Sequence, residues 1–243
     1  MADKRGGIII KAGVLLFWLA VWQAASLCVG KALIVPSPLA VARTLYSLSG
    51  TADFWVAAGL SLLRIFVGFI TGLALGCVLA VLTSVSRICS LLLSPVISVV
   101  RATPVVSFIL LVLLWLPSSV VPAFISSLMV APVVWGDVSK GIAETDRDLL
   151  EMARAFKMRR WRYVYIPSVK PYFTSACLTS LGLAWKSGVA AEALCLPRPS
   201  IGSGLYYARI YFESPELFAW TIVVIILSMI LEKLFVKLIG RKT

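Results

Sequence analysis

The chain has no histidine among its 243 residues. That absence removes most hydrolytic triads, the common zinc sites and any histidine-based proton relay. A Gly-x4-Gly-Lys-Ser/Thr loop is also missing, so if the protein depends on ATP, another subunit binds it. Five cysteines, Cys28, Cys77, Cys89, Cys177 and Cys195, form no CxxC pair and no metal spacing, and they read as small apolar packing residues. Charge is scarce and one-sided: 14% of residues are charged, with 23 Lys and Arg against 11 Asp and Glu.

What fills the sequence is hydrocarbon. Hydrophobic residues make up 60% of the chain and the mean hydropathy is +0.97, values that exclude an ordinary soluble domain, whose apolar share is about half. Six apolar segments are each long enough to cross a bilayer as a helix: 8–29, 57–83, 91–115, 119–138, 172–195 and 217–239. The expected fold class is therefore all-α, a polytopic membrane protein with six transmembrane helices and one membrane domain over 1–243. The basic start followed by an apolar run resembles a signal peptide, but the run is too long and has no small-x-small cleavage site, so a retained first helix is expected.

The net charge of +12 does not point to nucleic acid, because the cations sit at alternate connections. Lys4, Arg5, Lys11, Arg87, Lys140, Arg147, Arg154, Lys157, Arg159, Arg160, Arg162, Lys170, Lys233, Lys237, Arg241 and Lys242 are 16 of the 23, all on one expected side. The positive-inside rule then places both termini and the loop 140–170 in the cytoplasm.

Within that loop lies a basic amphipathic insert, Glu151 to Pro167. Leu149, Met152, Ala153 and Phe156 recur at three- and four-residue spacing, so a helix carries them as one stripe, with Glu151, Arg154 and Lys157 turned away. Such a stripe needs a groove or a bilayer surface to cover it.

Other features concern packing and passage. Gly68, Gly72 and Gly76 repeat every fourth residue, a ridge that lets two helices approach closely. Arg64, one turn before it, is expected to anchor in the headgroups. Pro95 and Pro104 are expected to interrupt the third span, and Pro122 and Pro132 the fourth. Arg101 and Lys186 fall near the middle of the third and fifth spans, where a cation costs about 2.5–3.5 kcal/mol, so both must face protein or water. Either they line a path for an anionic solute or they are paired, with Glu192 the candidate partner. Trp185, beside Lys186, is a packing residue by default and a pore-lining residue on the sharper reading.

The chain resembles the membrane subunits of binding-protein-dependent ABC importers, in the nitrate, sulfonate, taurine and bicarbonate branch. The resemblance runs from Val35-Pro-Ser-Pro38 through Ser61-Leu-Leu-Arg64 to Leu217-Phe-Ala-Trp220. It is most specific at Glu151-Met-Ala-Arg154 with Ile166-Pro167, and at Trp185-Lys-Ser-Gly-Val-Ala-Ala-Glu192. It implies a type I importer permease fold in the cytoplasmic membrane of a prokaryote. The permease would perform no chemistry and bind no cofactor itself. Two ATP-binding subunits would hold ATP and Mg, an extracytoplasmic binding protein would deliver the solute, and a second permease copy would complete the path. Leu149, Glu151, Met152, Ala153, Arg154, Ala155, Phe156 and Lys157 would form the coupling helix, with Phe156 pointing into the ATPase cleft. Arg101, Pro104, Trp185, Lys186 and Glu192 are the candidates for the path. Two departures stand out: the family's usual glycine falls at Lys157, and the stretch from there to Pro167 is about three residues short, close to one helical turn. A helix lying on anionic lipid fits the arginines of the insert equally well. The rival reading is a stand-alone secondary transporter or channel using Arg101, Lys186 and Glu192.

Overall fold

In hydrocarbon each backbone N–H and C=O must find its partner inside its own segment, so apolar runs of this length become helices. The computed structural model describes the backbone over residues 2–240 and side chains over 13–237. Lys4, Arg5, Lys11, Arg241 and Lys242 of the expected charge pattern lie outside the described side chains. Among the described residues the chain is helical, without strand: α1 (Ala2–Val29), α2 (Pro38–Ser49), α3 (Ala52–Val85), α4 (Arg87–Ala102), α5 (Val105–Val112), α6 (Val121–Ala143), α7 (Arg147–Ala155), a π turn (Trp161–Tyr165) that runs into α8 (Ile166–Cys195), α9 (Ile201–Ile210) and α10 (Ser214–Gly240).

Among the described residues, three helices, α3, α6 and α10, are each long and apolar enough to cross a membrane. A fourth crossing exists if α4 and α5 count as one span, for these two meet at a bend of 104°. The bend falls at Thr103-Pro104, with Pro104 at the N-cap of α5. The other prolines do not interrupt their helices. Pro122 occupies the first turn of α6, where no donor is required of it, and Pro95 and Pro132 sit inside α4 and α6, which run on through them. The gentler expectation of four interruptions is thus corrected to one. The fifth expected segment starts earlier than 172, because the π turn continues into α8.

The centre of the fold is the contact of α3, α6 and α8. The glycine row of α3 lies flat on α6: an added Cβ at Gly72 would stand 2.7 Å from the Val130 Cβ, and one at Gly76 would stand 2.6 Å from the Val134 Cβ. At Gly68 it would meet the Ala123 carbonyl at 2.2 Å. Ser126 of α6 donates to the Ala184 carbonyl of α8 at 3.1 Å, and Gly188 of α8 leaves room for Ile65 of α3. Phe69, Val130, Val134, Ala184 and Trp185 fill the space between. α10 joins through Trp220, stacked on Phe54 at 5.1 Å. α2 begins with Ser37 accepting from the Ala40 amide and Pro38 in its first turn, and packs on α10.

One end of the bundle is tied by a buried carboxylate. Glu192 of α8 is fully buried; it accepts from the Ser61 hydroxyl at 2.6 Å, from the Gly202 amide at 3.3 Å and from Arg64 at 3.4 Å. Arg64 also donates to the Pro199 carbonyl at 3.0 Å, and Ser61 accepts from the Ile201 amide at 2.9 Å. The first amides of α9 thus close on α3 and α8, with negative charge at a helix N-terminus, where it is favoured. Two expectations are corrected here. Arg64 turns into the protein instead of reaching for headgroups, because a buried carboxylate is a stronger partner. Glu192 pairs across helices with Arg64, not with Lys186, which sits about 120° around the same helix.

Two stability outcomes follow from this packing, both measurable by thermal unfolding in mild detergent. Gly72→Ala forces a methyl into Val130 and costs about 1–3 kcal/mol, whereas Gly59→Ala on the same helix, with nothing within 4 Å of its Cβ, is neutral or stabilising by up to about 1 kcal/mol. Glu192→Leu strands Arg64 and costs about 3–5 kcal/mol; adding Arg64→Met recovers much of that loss, and an additive double variant would remove the pair from the account.

Candidate functional site

The insert after α6 folds as the short helix α7. Asp146 caps it, accepting from the Asp148 amide at 2.9 Å, while Arg154 lies in the last turn, where a cation suits the helix dipole. Ala153 turns inward at 1% exposure, and Leu149, Met152 and Phe156 stand open at 41%, 48% and 73%. One edge of the apolar stripe therefore touches the protein and the rest is uncovered. Glu151 and Arg154 are exposed beside it, and Ala155 closes the helix.

The turn that follows explains the residue standing in place of the family's glycine. Lys157 has φ of 54°, in the left-handed region that glycine adopts freely. The Met158 amide donates to the Ala153 carbonyl at 2.8 Å and the Lys157 amide to Arg154 at 3.1 Å, a closed helix end of the Schellman kind. From there the chain needs only the π turn to reach α8; the Ile166 amide bonds back to Trp161 just before Pro167, which has no donor of its own. The shortened 157–165 stretch is thus an ordered turn fused to α8.

α7 stands between two long helices along the chain. Just before it, at the end of α6, Glu144 accepts from Tyr172 of α8, and an added Cβ at Gly141 would stand 2.8 Å from the Tyr172 ring. At its end, α7 rests on the π turn that continues into α8.

The five path candidates are not brought together. Arg101, at the exposed end of α4, donates to the Pro132 carbonyl and lies 5.5 Å from the centroid of the Trp135 ring; Gly136 leaves the space it occupies. Pro104 marks the bend three residues on. Trp185 is 2% exposed, its indole donates to the Val224 carbonyl of α10 at 3.1 Å, and its ring borders the same recess as Lys186. Glu192 is buried inside its knot of donors, Ser61, Arg64 and Gly202. Lys186 is exposed, lining a recess of about 280 Å³ between α8 and α10 that Glu232 also borders. Sequence reasoning missed Ser61, Gly202, Tyr172 and the Trp135-Gly136 seat. Ser61 and Arg64 were within reach, since they are three residues apart on one helix face and Glu192 is the lone acid in its segment.

Known proteins place this geometry. The model of the binding-protein-dependent transport system inner membrane component family matches residues 72–243. The putative aliphatic sulfonates transport permease of Bacillus subtilis is 26% identical over 242 residues, covering 97% of this chain and 85% of that protein. The corresponding Escherichia coli protein is 30% identical over 225 residues, covering 88% and 82%. The nitrate import permease of Synechocystis is 27% identical over 233 residues, again covering 88% and 82%. In fold, the chain is similar to one from the crystal structure of an amino acid ABC transporter with histidines, with a TM-score of 0.61 at 21% identity over 81% of this chain and 95% of that one. With the match extending over well more than half its length, the chain belongs to the inner membrane component family of binding-protein-dependent transport systems.

Proposed function

We infer that this chain is the permease subunit of an ATP-driven importer, in which α7 docks in an ATP-binding subunit and transmits its closure to α6 and α8. The observation that carries the reading is the state of α7: an apolar row of Leu149, Met152 and Phe156 left exposed on a short helix that follows α6 and rests on the π turn leading into α8. An exposed apolar row is what a partner groove completes. Two ATP-binding subunits with ATP and Mg, a second permease copy and an extracytoplasmic binding protein make up the working assembly, with both termini in the cytoplasm. Binding of ATP draws the two copies of α7 together and turns the path outward; hydrolysis resets it. No atom of this chain takes part in the chemistry. The relatives named for aliphatic sulfonates and nitrate, together with Lys186 exposed within α8, support a small anion as the solute.

Purification of the tagged chain from its own membranes, followed by mass spectrometry, recovers an ATP-binding subunit. Phe156→Asp removes a side chain whose burial is worth about 1.5–3 kcal/mol and weakens that recovery by roughly tenfold or more. Recovery of the chain alone, in wild type and variant, would return the weight to a stand-alone transporter. Lys157→Gly is the opposite case: it relieves a left-handed backbone at about 1–2 kcal/mol, raising the melting temperature while the partner is still recovered. For the solute, Lys186→Gln lowers the apparent affinity of uptake more than Arg101→Gln, whose guanidinium is already spent on Pro132 and Trp135. Full uptake at unchanged affinity in Lys186→Gln would remove it from the site.

A further inference from the structure

Beneath α7, where the π turn meets the ends of α3 and α6, two cavities adjoin. The first, of about 650 Å³, is bordered by Ser84, Met158, Arg159 and Arg160, with Trp161 and Tyr165 at its side. The second, of about 240 Å³, runs along α8 between Val138, Ile166, Val169 and Phe173. They share Val81, Ile142, Trp161 and Tyr165, so one chamber edged by arginines and one apolar groove are parts of a continuous recess. Among the described residues, Arg159 and Arg160 form no ion pair, and both are exposed.

The level of this recess is set by the helices that wall it. Val81 and Ser84 lie in the last turns of α3, and Ile142 in the last turn of α6, two helices that are long and apolar enough to cross a membrane. With α3 and α6 crossing the membrane, their last turns stand near its boundary, which puts the apolar groove on the hydrocarbon side and the arginines on the headgroup side. Trp161 and Tyr165, packed at 5.3 Å between ring centroids, occupy the boundary, where such amphipathic rings are favoured. An amphiphile with an anionic head and an acyl tail matches both halves: the phosphate meets two arginines free of carboxylates, and the chain covers Val138, Val169 and Phe173.

We propose that this recess binds one anionic phospholipid from the leaflet faced by the basic loop, its phosphate held by Arg159 and Arg160 and one acyl chain lying in the groove of α6 and α8. The bound lipid fills the space between the end of α3 and the π turn, so it braces the segment on which α7 rests. A free phosphate or another small anion would need only the first cavity, and the second would then stand as lipid-facing surface. This inference requires that α3 and α6 cross the membrane and is independent of whether α7 docks on an ATPase.

The test is retention of lipid by the full-length chain, purified with whatever subunits accompany it, from nanodiscs of phosphatidylcholine containing a minority of phosphatidylglycerol, read by native mass spectrometry. Wild type retains one phosphatidylglycerol per chain in preference to phosphatidylcholine. The double substitution Arg159→Gln with Arg160→Gln lowers that preference roughly tenfold or more, while Arg162→Gln, which borders neither cavity, keeps it. Val169→Trp, filling the apolar groove with both arginines intact, also loses the lipid, which guards against a folding defect in the arginine variant. Equal retention in all four proteins, or displacement of the lipid by millimolar inorganic phosphate, would overturn the proposal, the second outcome marking a free-anion site. Loss of the ATP-binding subunit without loss of lipid leaves it standing.

Discussion

The close approach of α3 and α6 along Gly68, Gly72 and Gly76 is the constraint on which the rest of the structure depends. Lipid tails are as apolar as leucine, so no hydrophobic force drives these helices together, and contact has to be gained from backbone-level packing. Glycine supplies it by letting Val130 and Val134 sit where side chains of α3 would otherwise stand. Once the two helices touch, Ile65 and Ser126 form one wall, and α8 can lie on it only where Gly188 leaves space and Ser126 reaches the Ala184 carbonyl. A bulky residue anywhere in the row would thus displace three helices, since α8 takes its position from both of the others.

Against that seam the knot at Glu192 has a different role. A buried carboxylate is costly to desolvate, and its attraction to Arg64 at 3.4 Å offsets only part of that. The remainder is met by the Ser61 hydroxyl and the Gly202 amide, and Ser61 accepts in turn from the Ile201 amide. What the knot contributes is register: with Ser61, Arg64, Glu192 and Gly202 engaged, α9 has one seat on α3 and α8. The opposite end is built otherwise. There α7 rests on the π turn and leaves Leu149, Met152 and Phe156 exposed, so polar bonding closes one end of the bundle while apolar surface stays open at the other.

The apolar runs, the glycine ridge and the stripe at 149–156 were legible because each is a short-range periodicity that a helix converts into a face. Cross-helix partners were not. Nothing local says that Arg64 would prefer a carboxylate 128 residues away to the headgroups, although the i, i+3 placement of Ser61 and Arg64 hinted at a shared target. The prolines misled in a specific way: a proline frees a carbonyl, but a helix continues if its neighbours tolerate the ring, so Pro95 and Pro132 pass while Pro104 begins a new helix after a sharp bend. At Lys157 the family's usual glycine is absent, and the backbone keeps the left-handed turn that a glycine normally makes.

The two cations within spans separate once their surroundings are compared. Arg101 has a carbonyl to donate to, a tryptophan face beneath it and a glycine whose missing Cβ gives it room, so α6 supplies partners for its charge. Lys186 has no ion pair among the described residues and is exposed. An ammonium left in hydrocarbon would cost about 2.5–3.5 kcal/mol, more than a helix that packs mainly by small residues could absorb without loss. Its surroundings must therefore contain water or opposite charge, and Glu232 beside the same recess is consistent with a polar lining there. Among the described residues α3 and α10 have the length and hydropathy of a membrane span and α8 does not, and the charge that α8 carries at Lys186 lies on the recess it shares with α10.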